Sequence, residues 1–464
     1  MQHTGSGNPQ TAAIASFVSG LRYERIPAEA IARIKLLVLD SLGCAIYGAE
    51  LPWSRILRET LAEVDQARSA AVWGTGDRLS SPHAVLANGA LVQSFELDDV
   101  HRVGVLHVGA VTLPPIFAVL EREPSINGRD FLSACVAGYE IGPRVGLCMG
   151  QEHIGQGWHS GATLGVFSAA SGAAAALRLD AAQSVNAIGI AGTQAAGLMA
   201  AQYGAMVKRM HAGRSAQSGY YGAILARRGY TGIQNVFESE YGGFCSTFSR
   251  SHDRYNLAAL SDGLGERFET LQIALKFYSC VGSNHTTLDG LLDIKARRPF
   301  TPDELEKIVV HGSKVTVDHV GWPYKPEGLT SAQLNLPYCV ATFLLEGDAF
   351  VAQFTEDKLA DPARIALSRR VEVVEDPQIT ALGSKYRHKV RVEVHLKSGE
   401  VLAEIVEAPR GSEKRFARDQ DVINKFRKLA GTRMAEPRVD RVIDLVTNAE
   451  RMASARDLAT ALGA

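Results

Sequence analysis

No stretch of the 464-residue sequence is apolar enough to cross a membrane. The longest candidate, residues 163–179, is rich in alanine, glycine and serine, too short and too weakly hydrophobic for a span. It reads as a helix packed closely against other helices. The first ten residues are polar and lack the basic and apolar regions of a signal peptide. Cysteine is sparse: the six residues Cys44, Cys135, Cys148, Cys245, Cys280 and Cys339 are scattered, with no C-x-x-C pair. That usage fits a reduced, cytoplasmic chain better than a disulfide scaffold. Charge of one sign is missing too: 49 Lys and Arg face 50 Asp and Glu. No overall field draws nucleic acid or an anionic membrane surface, so any anion must be held by a local cluster of cations. Also absent are a G-x-x-x-x-G-K-[ST] loop, a G-x-G-x-x-G following a strand, a G-x-S-x-G elbow and an H-E-x-x-H pair. The common nucleotide-binding, hydrolase and zinc-protease classes lose their support with them.

What is present divides the chain in two textures. Up to about residue 268 the apolar residues recur at helical spacing, as in 27–47, 82–97, 128–147, 163–178, 180–192 and 215–228. Asp180 is placed to cap its helix and Gly229 to end the last one. Beyond it, 306–311, 313–320, 371–374, 388–396 and 401–406 read as strands, with a turn at Ser398-Gly399. Residues 286–295 and 331–345 are helical in pattern, and 419–462 returns to charged amphipathic helices. The expectation is a mostly α protein. A large helical domain is formed by both chain ends (1–268 and 408–464), with an α/β lid domain (269–407) inserted.

Three clusters carry candidate chemistry. Glu96, Asp98 and Asp99 end an apolar helix ahead of a loop bearing His101 and His107. Carboxylates beside histidines fix the imidazole tautomer and raise its basicity. General acid–base work, metal ligation and an acidic helix end in solvent all remain open for this cluster. In Gly157-Trp158-His159-Ser160-Gly161 a glycine-flanked histidine precedes an apolar helix, where anions are favoured; a capping histidine is the plainer alternative. Segment 204–214 places Lys208, Arg209, His211 and Arg214 among small and apolar residues. Lys208 and His211, three apart, share a helix face. An enclosed Lys208 would become a usable base. Arg209 and Arg214 suit bidentate binding of substrate carboxylates, and a solvated basic face is the alternative. Cations of this kind would stabilise the doubly negative aci-carboxylate left when a proton leaves a carbon beside a carboxylate.

With these residues in view, the chain resembles the MmgE/PrpD family. Its members include 2-methylcitrate dehydratase, cis-aconitate decarboxylase and iminodisuccinate epimerase. The resemblance rests on Leu97-Asp98-Asp99 leading to His107, on Gly157-Trp158-His159, and on 204–213. It continues with Lys276-Phe277-Tyr278-Ser279-Cys280 ahead of His285 and with 331–341, where Gln333 stands in place of a common lysine. It implies a homodimer, an active site in the cleft between domains, a small di- or tricarboxylate substrate, and no metal or organic cofactor. By motif position it implies His107, His159, Lys208 and His285 as catalytic or substrate-contacting groups. Glu96 or Asp98 would support His107, and Tyr338 would reach in from the lid. Val100 and Val108 depart from the threonine and proline usual in dehydratase- and decarboxylase-like members, and the loop before His107 is one residue longer. The expected activity is therefore epimerisation of a substituted dicarboxylate. A hydro-lyase or decarboxylase is the alternative, and a non-catalytic carboxylate-binding protein the third reading.

Overall fold

A computed structural model describes residues 7–150, 152–202, 205–383 and 386–463. The first six residues of the polar N-terminus, and Gly204 of the cationic segment, lie outside the described residues. The chain divides into two units, each assembled from separated stretches. One takes the chain up to Ser94, Asp98–Ala274 and everything from Arg418 onward; the other takes Phe95–Leu97 and Leu275–Ala417. The protein is mostly α, as its pattern implies.

The helical unit is held together by unusually close helix crossings, and small residues make them possible. Helices Ser81–Val92 and Val207–Arg227 touch at glycines: a Cβ on Gly213 would lie 2.0 Å from the Leu86 carbonyl oxygen, and one on Gly89 would lie 2.7 Å from Gly213 Cα. Pairing is antiparallel, because Gln217 Nε2 donates to the Pro82 carbonyl further back along the same helix. Helix Val108–Arg122 instead runs parallel to helix Gly165–Ala176. Gly165 packs on Val111, Gly172 packs on Ile116, and Thr112 and Ser168 hydroxyls lie 2.8 Å apart. Ser215 and Gly219 meet Gly165 and Ala169 in the same order, so Val207–Arg227 is parallel to that pair as well. Three helices therefore begin at the same end of the unit.

Local chemistry sets several boundaries. Asp180 caps Ala181–Gly192 through a capping box with Gln183. The helix expected over 82–97 stops at Val92, where the Ser94 hydroxyl donates to the Ala90 and Leu91 carbonyls and ends the ladder. Beyond it, Glu96 lies in the left-handed region at φ 56°. Helices Pro9–Gly20, Pro52–Val64 and Val108–Arg122 have no counterpart in the sequence expectations. The last carries Pro114 and Pro115 in its interior, which argue against a helix when only local propensity is weighed.

The inserted unit contains a four-stranded sheet ordered Val371–Glu375, Leu305–Gly312, Val390–Leu396, Val401–Val406. The first two strands are parallel and the remaining pairs antiparallel. Val390–Leu396 buries every second residue, as its alternation requires. Helix Gly282–Arg297 lies on the sheet, where a Cβ on Gly290 would come 3.1 Å from Val392. The strand expected over 313–320 is instead helix Lys314–Val320, capped by the Ser313 hydroxyl accepting from the Thr316 N–H. Its buried positions Ser313, Thr316 and Val320 follow helical spacing, and this overrode the β preference of its valines. The helix expected over 331–345 breaks at Asn335, whose side chain caps Leu336–Glu346 by accepting from Tyr338 N–H at 2.8 Å.

Candidate active site

The shared end of the three parallel helices carries the sequence-predicted residues of the helical unit. His107 stands at the N-cap of Val108–Arg122 and His159 just ahead of Ser160–Thr163 and Gly165–Ala176. Lys208 and His211 lie in the first turns of Val207–Arg227. Helices that begin together here turn the positive ends of their dipoles the same way, so this end favours an anion.

Of the two carboxylates proposed to support His107, the structure selects Asp98. Its Oδ2 lies 2.9 Å from His107 Nδ1, and the Asp98 side chain is fully buried while His107 keeps 19% exposure. This contact fixes the ring and leaves Nε2 as the exchangeable nitrogen. The neighbouring Asp99 is a scaffold: it accepts from Gly109 N–H at 2.9 Å and from the Tyr139 hydroxyl at 2.7 Å. Burial pushes its carboxyl up to about 7, against those two donors. His101, the other histidine of the loop, is a clamp. It accepts from Gly104 N–H at 2.8 Å through Nδ1, so its Nε2–H faces Glu269 at 3.1 Å. Val100–His101 also pairs with Ile273–Ala274. The loop that presents His107 is thereby tied down at both ends.

Nearby, Lys425 of helix Asp419–Ala430 lies 2.5 Å from Asp40 of helix Ala28–Gly48, both side chains buried. Lys425 also feels the charge of Asp98. Neither partner was singled out from sequence, because a lysine in a charged amphipathic helix looks like any solvated one until tertiary packing encloses it.

The rings of His159 and His211 lie 4.6 Å apart, both largely buried. Burial, and secondarily the charge of Lys208, holds the His211 pKa below its ordinary value, so it is neutral at neutral pH. Lys208 itself is half-buried. The two arginines of the segment part company with it. Arg209 is buried with its guanidinium over the Trp53 ring, 5.7 Å from the centroid, while Arg214 is exposed and donates to the Gln217 side chain.

In the inserted unit, Glu96 is buried with Lys276 Nζ 3.6 Å away. Lys276 belongs to a motif that the sequence singled out without giving this lysine a role. His285 is buried at the start of Gly282–Arg297, its Nε2–H donating to the Cys280 carbonyl at 3.1 Å and its ring edge-on to Tyr278. Tyr338 occupies the core of this unit. It is fully buried, packs at a tilt against Tyr324 with ring centroids 4.4 Å apart, carries the Arg364 guanidinium over its ring, and directs its hydroxyl to the Lys358 carbonyl. Gln333 donates to the Phe95 and Ser279 carbonyls at 3.2 and 3.0 Å. Among the described residues no group of three or more His, Cys, Asp or Glu is placed to hold a metal ion.

Comparison with known proteins bears on this arrangement. A model of the MmgE/PrpD N-terminal domain matches residues 12–255, and one of the MmgE/PrpD C-terminal domain matches residues 278–451. The cis-aconitate decarboxylase-like protein oryM of Aspergillus oryzae is 34% identical over 98% of this chain and 97% of its own. The cis-aconitate decarboxylase of Aspergillus terreus is 32% identical over 95% of this chain and 93% of its own. That of Homo sapiens is 26% identical over 97% and 94%.

Proposed function

The chain belongs to the MmgE/PrpD family of enzymes, and from that premise we propose that it is a cofactor-independent lyase that decarboxylates a small unsaturated tricarboxylate of the cis-aconitate type. The observation that carries this reading is the end-to-end similarity to decarboxylases. The preference for epimerisation drawn from Val100, Val108 and the longer loop before His107 gives way to it. Those substitutions sit in a chain that matches decarboxylases over nearly its whole length.

In such a reaction the bond to one carboxylate breaks and its electron pair forms a new double bond. The former alkene carbon takes a proton, so one carbon dioxide leaves and one proton is consumed. The helical unit supplies what that requires. Aligned helix N-termini and Lys208 attract the carboxylates, and fixed positive groups act on charge as it develops. His107, oriented by Asp98, is the proposed proton donor, with His159 and His211 beside Lys208 as substrate contacts. Within the inserted unit, His285 and the buried Glu96–Lys276 pair are the candidate functional groups. A homodimer and a cytoplasmic location complete the reading, the first checked by light scattering.

The test is incubation with cis-aconitate in deuterium oxide, followed by proton NMR. Carbon dioxide release with one deuterium in an unsaturated dicarboxylate supports the proposal. Isotope exchange of a chiral dicarboxylate with loss of its handedness restores the epimerase, and gain or loss of water indicates a hydro-lyase. No turnover of any di- or tricarboxylate leaves a binding protein. Loss of activity on chelation would overturn the cofactor-free part.

A further inference from the structure

We propose that Gln93 is a substrate-contacting residue whose side-chain amide hydrogen-bonds a carboxylate of the substrate, beside His159 and His211; this rests on the carboxylate-lyase reading above. Gln93 is 1% exposed, and neither Nε2 nor Oε1 has a hydrogen-bond partner among the described residues. A buried amide offers two donors and an acceptor, and leaving all of them unused is unfavourable. Five residues earlier, inside the helix that Gln93 terminates, Asn88 shows what a structural amide looks like. Its Oδ1 accepts from Trp73 N–H and its Nδ2 donates to the Ala71 carbonyl, both at 3.0 Å. Gln93 has no such bonds.

Its position says what the amide serves. Ser81–Val92 runs antiparallel to Val207–Arg227, and Gly89 meets Gly213. Four residues further on, Gln93 falls at the level of Lys208 and His211, at the end where the three parallel helices begin. Gly161 confirms the neighbourhood: a Cβ there would lie 3.2 Å from His159 Cε1 and 3.8 Å from Gln93 Nε2. The ring of His211 lies 4.6 Å beyond that of His159. With neither atom committed, the amide can turn either edge inward and present N–H to a carboxylate oxygen. Being neutral, it adds a directional contact without a further charge beside Lys208.

The experiment uses the full-length protein and Gln93→Met, which keeps length and loses the amide. Three quantities are measured: the melting temperature without ligand, KM and kcat for cis-aconitate, and the Kd of propane-1,2,3-tricarboxylate by calorimetry. Losing one hydrogen bond to a carboxylate is expected to raise KM and Kd together by roughly ten- to a hundredfold. The melting temperature should stay level or rise, since no protein bond is lost. A fall of several degrees would show that the amide is bonded within the fold, and unchanged KM and Kd would show that it does not touch substrate; either overturns the proposal. If the wild type fails to turn over cis-aconitate, the lyase reading falls, and the comparison of Kd still decides Gln93. A wild type that binds no tricarboxylate overturns both.

Discussion

Replacing Lys425 by methionine should destabilise the helical unit by about 3–5 kcal/mol, because it strands Asp40 as a buried charge. Asp40 and Lys425 have side-chain exposures of 0% and 2% at a separation of 2.5 Å. Water cannot take over the role of the lysine. The Cys44 thiol offers Asp40 only a long, weak hydrogen bond at 4.0 Å, and the charges of Asp98 and Asp99 reach the same pocket. A unit of roughly 300 residues unfolds with an entropy of about 0.6 kcal/mol/K, so the shift in its calorimetric Tm should be about 5–8 °C downward. The deficit should depend on pH. Without Lys425 the folded-state pKa of Asp40 rises above its unfolded value, so stability is lost as pH rises through that window. At pH 5 the variant should accordingly lie nearer the wild type than at pH 8. The double variant Asp40→Ala/Lys425→Met removes both charges and should recover to within about 2 kcal/mol of the wild type. Equal destabilisation of the single and double variants, or a pH-independent deficit, would refute the electrostatic account and leave only lost packing.

Other predictions follow from the same geometry. Asp98→Asn should leave His107 without its carboxylate partner, lowering kcat about 10²-fold or more while the melting temperature changes little; an unchanged kcat would remove Asp98 from the mechanism. Gly213→Ala places a methyl 2.0 Å from the Leu86 carbonyl. It should cost about 2–4 kcal/mol in urea unfolding while forcing apart the helices that carry Gln93 and Lys208. His153 is buried, 2.7 Å from Thr163 Oγ1, and desolvation pushes its pKa down to about 4. The unfolded chain binds that proton first, so this histidine's contribution is present above pH 6.5 and is lost as pH falls from 6.5 to about 4. His153→Phe, packed against Phe244 and Phe248, should flatten stability across that window in acid titration.

Residues 180–192 illustrate what local chemistry settles alone. Asp180, Gln183 and the run of small apolar residues specify a capped helix without reference to anything distant. Period-two burial in Val390–Leu396 is equally local, as is the shared helix face of Lys208 and His211. These features involve neighbours within about four residues, where sequence order is spatial order. Tertiary structure decided what depends on distant partners. Whether Glu96 or Asp98 serves His107 could not be read from the motif, because both stand at plausible spacing; only the fold of the loop brings Asp98 within 2.9 Å. The helix over Lys314–Val320 overrides valine's β preference through contacts that local propensity does not contain. Lys425 finds Asp40 from 385 positions away, and Gln93 is a buried amide without a hydrogen-bond partner among the described residues, beside the crossing of Gly89 and Gly213. Helix and strand follow from short-range geometry, which the sequence by itself determines. The charge state and accessibility of a side chain are set by what excludes water around it, and that is known only once the chain has packed.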